Sequence, residues 1–141
     1  MDKVSLEQAE VRFERMFSAG RLRRMPKGRA DTLLFLSVAA SILDPRKTYS
    51  EPELNEELRI WMSEFVEERL FDHVTVRRYL VDFHLLLRDQ KGSRYTTNQT
   101  MINHTIEPDA RSIQPALIFA AVETARAQRR RDAKRASDHT V

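Results

Sequence analysis

The sequence has no cysteine, only three glycines, and no apolar run as long as a membrane-spanning helix. The absence of cysteine excludes a disulfide framework, a thiol nucleophile and a cysteine-ligated zinc site. A membrane helix needs about 20 consecutive apolar residues, and the first ten residues lack the apolar core of a signal peptide. We therefore expect a soluble, cytoplasmic protein that has no contact with a membrane.

Signatures of catalysis are also missing. The four histidines, His73, His84, His104 and His139, do not have the spacing of metal ligands on a helix. The chain has neither a glycine-rich phosphate loop nor a nucleophile elbow. The sequence therefore predicts a protein that is not an enzyme and that uses no cofactor and no metal.

Charge is distributed unevenly along the 141 residues. The net charge of +3 comes from 24 basic and 21 acidic residues, but residues 126–135 alone hold six basic residues and one acid. The rest of the chain therefore has 18 basic and 20 acidic residues. A second basic block at 21–29 has five cations and no acid, whereas 51–72 has eight acids and two arginines. Because the net charge reflects mainly one segment, the positions of the cations indicate more about a nucleic-acid partner than their total does.

Capping residues and apolar spacing predict three helices in the first half of the chain. The segment 5–19 has an apolar stripe at three- and four-residue spacing and opens with a Ser-x-x-Gln capping box. The segment 30–43 is apolar nearly all round, which predicts a central, buried helix. Ser50 and Glu53 form a second capping box, which opens a helix that runs to about Phe65 and has an acidic exposed side.

The segment Asp72–Phe83 is the centre of the predicted fold. Asp72 is a suitable N-cap because its side-chain oxygen can accept from the free amides of the first turn. Helical spacing places on one apolar face Val76, Tyr79, Leu80 and Phe83. It places on the opposite face Thr75, Arg78 and Asp82, with Arg77 on the flank.

A β-hairpin is predicted directly after this helix. Residues 85–87 form its first strand, 88–93 turn through Gly92, and 94–97 return as its second strand. Three cations make the hairpin basic, Arg88, Lys91 and Arg94. Helix, helix, hairpin is the order of a winged helix-turn-helix. We therefore expect a mostly α fold with a small β-hairpin, a winged helix-turn-helix that has additional N- and C-terminal helices.

The predicted organisation has four parts. Residues 1–19 form an N-terminal flanking helix, and residues 20–97 form the winged-helix domain. Residues 98–128 are a linker, polar and irregular as far as Ile113, followed by a C-terminal helix with an apolar face. Residues 129–141 are a basic tail that we expect to be disordered.

Three motifs carry a resemblance to a known family: GRLRRMP at Gly20–Pro26, YSEPELNEEL at Tyr49–Leu58, and VRRYLVDFHLLLRDQKGSRY at Val76–Tyr95. Together they resemble an uncharacterised bacterial family of small winged-helix-like domains. The family pattern is GRL…P, then Y-[ST]-E-x-E-[VL]-N, then L-R-R-x-L-V-D…L-x-R…G-x-Y, and this chain has Val76 where the family usually has leucine. The resemblance covers about Gly20–Thr97. It implies a fold and a regulatory setting, since the family is often attached to bacterial helix-turn-helix repressors or acetyltransferase-like domains, and it implies no catalytic residue.

DNA binding in transcription regulation is the preferred functional hypothesis. A helix can enter the major groove and read base edges with polar side chains, and the segment 72–83 is the candidate. Cations of the hairpin and of the 21–29 block would hold phosphates of double-stranded DNA. The candidate DNA-binding residues are Thr75, Arg77, Arg78, Arg88, Lys91, Arg94, Arg21, Arg23 and Arg24.

The alternative hypothesis is a non-catalytic protein-interaction or dimerisation module on the same scaffold. The preceding helix is acidic, and Arg77 and Arg78 could pair with acids instead of DNA, for example with Glu53, Glu57 or Asp82. The two terminal helices are amphipathic and could pack together or across a twofold axis. On this ground we expect a homodimer.

Overall fold

The fold of residues 2–138, described by a computed structural model, is mostly helical with a small antiparallel sheet. In chain order its elements are α1 (Leu6–Met16), α2 (Arg29–Ser41), β1 (Tyr49–Ser50), α3 (Glu51–Met62), α4 (His73–Asp82), β2 (Leu86–Arg88), β3 (Arg94–Thr97), α5 (Gln99–Thr105), a 3-10 turn (Pro108–Ser112) and α6 (Pro115–Asp138). Within the described range, no helix combines the length and the apolar character that crossing a membrane requires.

The predicted helix caps are confirmed. Ser5 Oγ accepts from the backbone N–H of Gln8 at 3.2 Å, and Gln8 Oε1 accepts from the backbone N–H of Ser5 at 3.0 Å. The same reciprocal pair opens α3, where Ser50 and Glu53 are joined at 3.3 and 3.0 Å. Asp72 Oδ1 accepts from the N–H of Thr75 at 2.9 Å and so begins α4. These caps satisfy amides that a helix leaves free in its first turn.

Helix α2 is the centre of the core, as its all-round apolar sequence predicts. Its residues 34–36 and 38–40 are buried. The ring of Phe35 lies 6.4, 5.5 and 6.0 Å from the rings of Phe13, Trp61 and Phe71. Helices α1 and α3 and the segment before α4 therefore meet around a single side chain of α2.

The sheet has the strand order β1-β3-β2, with both neighbouring pairs antiparallel. The predicted hairpin is confirmed as β2 and β3, whose register places Leu86 opposite Thr97. The sequence predicts only a short extended piece at Thr48 and Tyr49. The structure pairs it with the far side of the hairpin, since Tyr49 lies opposite Tyr95 and both rings are buried. Tyr49 is further fixed because its hydroxyl accepts from the N–H of Asp44 at 2.8 Å.

The segment that follows the hairpin differs from the predicted irregular linker. Asn98 caps α5 by accepting from the N–H of Met101 at 3.3 Å. Ile102 and Ile106 are fully buried. The backbone around Ile106 is also tied to Val4 by two hydrogen bonds, of 3.0 and 2.8 Å. This part of the chain is ordered because its few apolar side chains pack on the core and its polar ones act as caps.

The C-terminal helix is longer than the sequence predicts. We expected a disordered basic tail from residue 129, but α6 continues through Asp138. Side-chain hydrogen bonds along the helix support this extension: Gln128 donates to Asp132 at 3.0 Å and accepts from Arg131 at 2.5 Å. Residues 139–141 of the predicted tail lie outside the described residues.

Candidate nucleic-acid interface

Helix α4 is held to the core by one face, and Arg78 is on the opposite side. Val76 and Leu80, four residues apart, are fully buried, whereas Arg78 is exposed. The predicted burial of Tyr79 is wrong, because this side chain lies at the edge of the buried face and is 36% exposed. Its ring stacks on Phe83, with 6.0 Å between the centroids. The outward surface of α4 therefore presents a cation beside an aromatic ring.

The hydroxyl of Thr75 is occupied within the helix cap. Thr75 Oγ1 donates to Asp72 Oδ1 at 2.9 Å, the same oxygen that accepts from the Thr75 N–H. The backbone N–H of Thr75 contributes most to lowering the pKa of Asp72 below its ordinary value, so the carboxylate stays charged and keeps both bonds. Thr75 is half-buried, and its hydroxyl is already bonded to Asp72. It is therefore not the free base-reading side chain that the sequence predicts.

Arg77 joins α4 to the first turns of α3. Its side chain is only 15% exposed, its Nη1 donates to Asn55 Oδ1 at 2.6 Å, and its Nη2 lies 3.0 Å from Glu51 Oε1. The sequence predicts a possible ion pair between Arg77 and an acid such as Glu53 or Glu57, and the structure shows Glu51 in this place. Both ends of the guanidinium are engaged between two helices, so this arginine is a structural contact in the described fold.

The side chain of Arg78 has neither a hydrogen bond nor an ion pair within residues 2–138. Its charge acts at longer range on Asp72, as one of the smaller influences that lower the pKa of that carboxyl. Arg78 is thus the arginine of α4 that remains exposed and available to an outside anion.

The hairpin places three further cations in solvent around a turn that Asp89 organises. The Oδ1 atom of Asp89 accepts from the N–H groups of Ser93 at 2.8 Å and Arg94 at 3.2 Å, and Gly92 adopts a φ of 70°. These N–H groups, that of Ser93 foremost, lower the pKa of Asp89. Sequence reasoning missed Asp89, although an aspartate three residues before a glycine is a typical turn signal. The exposed cations of the hairpin are Arg88, Lys91 and Arg94, and none of them has an ion pair with another described residue.

The predicted cations of the connector, residues 21–29, lie near the end of α3 and not near the hairpin. Arg21 donates to the backbone oxygen of Ser63 at 3.1 Å, at the end of α3, and its guanidinium is 5.3 Å from the Phe119 ring of α6. Arg94, by contrast, lies opposite Ser50, at the start of α3. A helix of 12 residues such as α3 is about 18 Å long. Arg94 therefore lies near the start of α3, whereas Arg21, with the exposed Arg23 and Arg24, lies near its end. The exposed cations of α4 and of the hairpin that follows it, Arg78, Arg88, Lys91 and Arg94, are here called the α4–hairpin cations.

The surface of α3 is acidic and carries its own ion pairs. Lys47 Nζ lies 3.0 Å from Glu53, and Arg59 lies 2.7 Å from Glu56. The Ser50 N–H, followed by Lys47, lowers the pKa of Glu53 to about 2. The acids of α3 make this helix an unfavourable surface for phosphate. Residues 2–138 contain no group of three or more acidic or histidine side chains that could hold a metal ion.

A family model described as "Uncharacterized protein conserved in bacteria (DUF2087)" matches residues 21–97, which is 77 of the 141 residues. The chain belongs to this family. The matched residues 21–97, here called the DUF2087 segment, agree to within one residue with the range over which the sequence resembles the family. The family assignment made from the sequence is therefore confirmed. The segment runs from the connector to the end of β3 and contains all nine candidate residues, whereas α1, α5 and α6 lie outside it. Searches of curated proteins and of solved structures found no match to the chain.

Proposed function

We propose that the DUF2087 segment is a winged helix-turn-helix that binds double-stranded DNA, with α4 in the major groove and the β2–β3 hairpin against the backbone. The element order α2-β1-α3-α4-β2-β3 supports this proposal, as does the strand order β1-β3-β2. The observation that carries it is the group of exposed α4–hairpin cations, which have no ion pair on the described part of the chain.

In this proposal each cation has a distinct part. Arg78 projects from the helix that enters the groove, where an arginine can donate two hydrogen bonds to a guanine edge. The hairpin cations neutralise phosphates and so supply affinity without sequence choice. Thr75 and Arg77 are left out of the contact, because the first is bonded to Asp72 and the second to α3. A small regulator of transcription would use this mode of binding.

Fluorescence anisotropy of a labelled duplex across a salt series tests the proposal. Two charge variants separate the possible binding surfaces. The hairpin-neutral variant carries Arg88→Gln, Lys91→Gln and Arg94→Gln, and the α6-neutral variant carries Arg129→Gln, Arg130→Gln, Lys134→Gln and Arg135→Gln. We expect Arg78→Ala and the hairpin-neutral variant to weaken binding, and the α6-neutral variant to keep most of it. Binding that is lost only in the α6-neutral variant would refute the proposal.

A protein-interaction module without DNA contact is the second candidate, and exposed apolar side chains favour it. Leu87 on β2 is 50% exposed, and Tyr79 on α4 is also accessible. Both lie on the elements proposed to meet DNA, and such side chains are typical of protein interfaces. If the chain and all its variants fail to bind a duplex at low salt, this second function replaces the first.

A further inference from the structure

A long open groove lies between α1 and α6, outside the DUF2087 segment. Its volume is about 770 Å³. One wall is formed by α1, with Glu10 and Glu14 one turn apart. The other is formed by residues of α6 that recur every fourth position, Leu117, Ala121, Ala125 and Arg129. Because residues four apart lie on one face of a helix, both walls are straight ridges that run along the groove.

Helix α6 is packed on the body of the protein only along its first half. Its Phe119 ring meets Phe17 of α1 with 5.3 Å between the centroids. From Gln128 to Asp138 every residue is exposed. A helix of 24 residues is about 36 Å long, so close to half of its length has no contact with the core. Leu117, at the start of the exposed ridge, is 64% exposed.

The charges on the two helices are complementary, and they form no ion pair with each other within residues 2–138. Glu10 and Glu14 are exposed, and neither has an ion pair in the described part of the chain. The exposed half of α6 carries Arg129, Arg130 and Lys134, which have no ion pair within residues 2–138 either. An occupant of the groove should therefore have an apolar stripe flanked by cations. Helix α6 itself has this pattern.

We propose that the α1–α6 groove is the interface of a twofold homodimer in which the α6 helices of two copies run antiparallel. With the twofold axis close to Ala121, Leu117 of one copy packs over the small Ala125 of the other, and the reverse contact follows by symmetry. The basic half of each α6 then passes along Glu10 and Glu14 of the other copy. A parallel pair would instead bring together two segments that each hold six basic residues and one acid, 126–135, and these would repel. This proposal does not depend on DNA binding.

Sedimentation of the full chain at increasing concentration is the first test. We expect a species of twice the 16.5 kDa chain mass. Leu117→Glu puts a charge on the apolar ridge and should raise the dissociation constant at least about tenfold. The matched control is Leu70→Glu, since Leu70 is similarly exposed, at 61%, and does not line the groove. A chain that stays monomeric, or a dimer that Leu117→Glu leaves unchanged, overturns the proposal.

A charge exchange tests whether the acids of one copy meet the bases of the other. One chain carries Glu10→Lys and Glu14→Lys, and a second carries Arg129→Glu and Arg130→Glu. Each should dimerise more weakly than the natural chain, because its own pairing is repulsive. Mixing the two should give a heterodimer, since every contact between them again joins opposite charges. If the mixture associates no better than the separate variants, the proposed contact does not exist.

Cysteine cross-linking tests the direction of the helices, and the chain has no natural cysteine to interfere. Ala121→Cys places a thiol beside the proposed axis, where two copies can approach the Cα separation of about 5.5 Å that a disulfide requires. Lys134→Cys lies 13 residues further along the helix, so its two thiols should be about 40 Å apart. We expect mild oxidation to link the first variant and not the second. Linkage through Lys134→Cys would mean parallel helices and would refute the arrangement.

Discussion

Replacing Arg77 with alanine should destabilise the fold, whereas the same change at the neighbouring Arg78 should not. Arg77 bridges α4 to α3 through Asn55 and Glu51, and its side chain is 15% exposed. Arg78 is exposed and has no such contact in the described structure. The two positions are adjacent and chemically identical, so each serves as the control for the other.

The size of the effect follows from the two contacts. A hydrogen bond that involves a charged group contributes about 1.5–3 kcal/mol when it is shielded from water. The ion pair to Glu51 adds at most about 0.5 kcal/mol, since that carboxylate is 44% exposed and solvent screens it. We therefore expect Arg77→Ala to lower the free energy of unfolding by about 2 kcal/mol. Arg78→Ala should change it by less than about 0.5 kcal/mol, as is usual for surface substitutions.

Urea denaturation followed by circular dichroism measures both values. Arg77→Ala should shift the midpoint to lower urea without changing the slope, because the same surface is exposed on unfolding. The double variant with Asn55→Ala should lose less than the sum of the single changes, because both substitutions remove one contact. If Arg77→Ala is as stable as Arg78→Ala, Arg77 does not hold α4 to α3, and its side chain again becomes a candidate for contact with DNA.

Three further predictions concern the caps and the hairpin. Ser50→Ala should lower the free energy of unfolding by about 1 kcal/mol in the urea assay, because α3 loses its capping hydroxyl; an unchanged midpoint would contradict this role. The pKa of Glu53 is lowered to about 2 from 4.5, so its stabilising contribution is complete above about pH 4.5 and is lost as the pH falls toward 2. The unfolding free energy of Glu53→Gln, measured from pH 6 down to pH 3, should therefore fall less steeply than that of the natural chain, and parallel curves would be evidence against the shift. Asp89→Ala removes the acceptor of the Ser93 and Arg94 N–H groups, so amide exchange in the hairpin should become faster while exchange in α2 stays slow; unchanged protection in the hairpin would refute the role of Asp89.

Local signals in the sequence predict most of the helices and their starts correctly. The capping boxes at Ser5 and Ser50 and the cap at Asp72 depend on residues three apart, and the structure forms all of them. The burial of α2 follows from its composition alone. Helix α5 was missed because its polar sequence shows no clear stripe, although Asn98 and the spacing of Ile102 and Ile106 were available as signals.

Contacts between distant segments could not be predicted from the sequence. The pairing of Tyr49 with Tyr95 joins residues 46 positions apart, and no local pattern encodes it. The partner of Arg77 depends on the rotation and offset of α4 against α3, and the sequence offers several acids at similar spacing. The separation of Arg21 from the hairpin cations likewise results from packing, because the connector joins the end of α3 by pairing Leu22 with Val66.

The salt dependence of duplex binding tests most directly whether α4 and the hairpin hold DNA. Each phosphate contact contributes about 0.9 to the slope of the logarithm of the binding constant against the logarithm of salt concentration. If the three hairpin cations each contact a phosphate, the hairpin-neutral variant should lose about 2.7 from the magnitude of this slope, whereas the α6-neutral variant should lose less than about 1. The opposite result would be an unchanged slope in the hairpin-neutral variant and a nearly flat slope in the α6-neutral variant. It would mean that the basic half of α6 attracts DNA and that α4 and the hairpin do not.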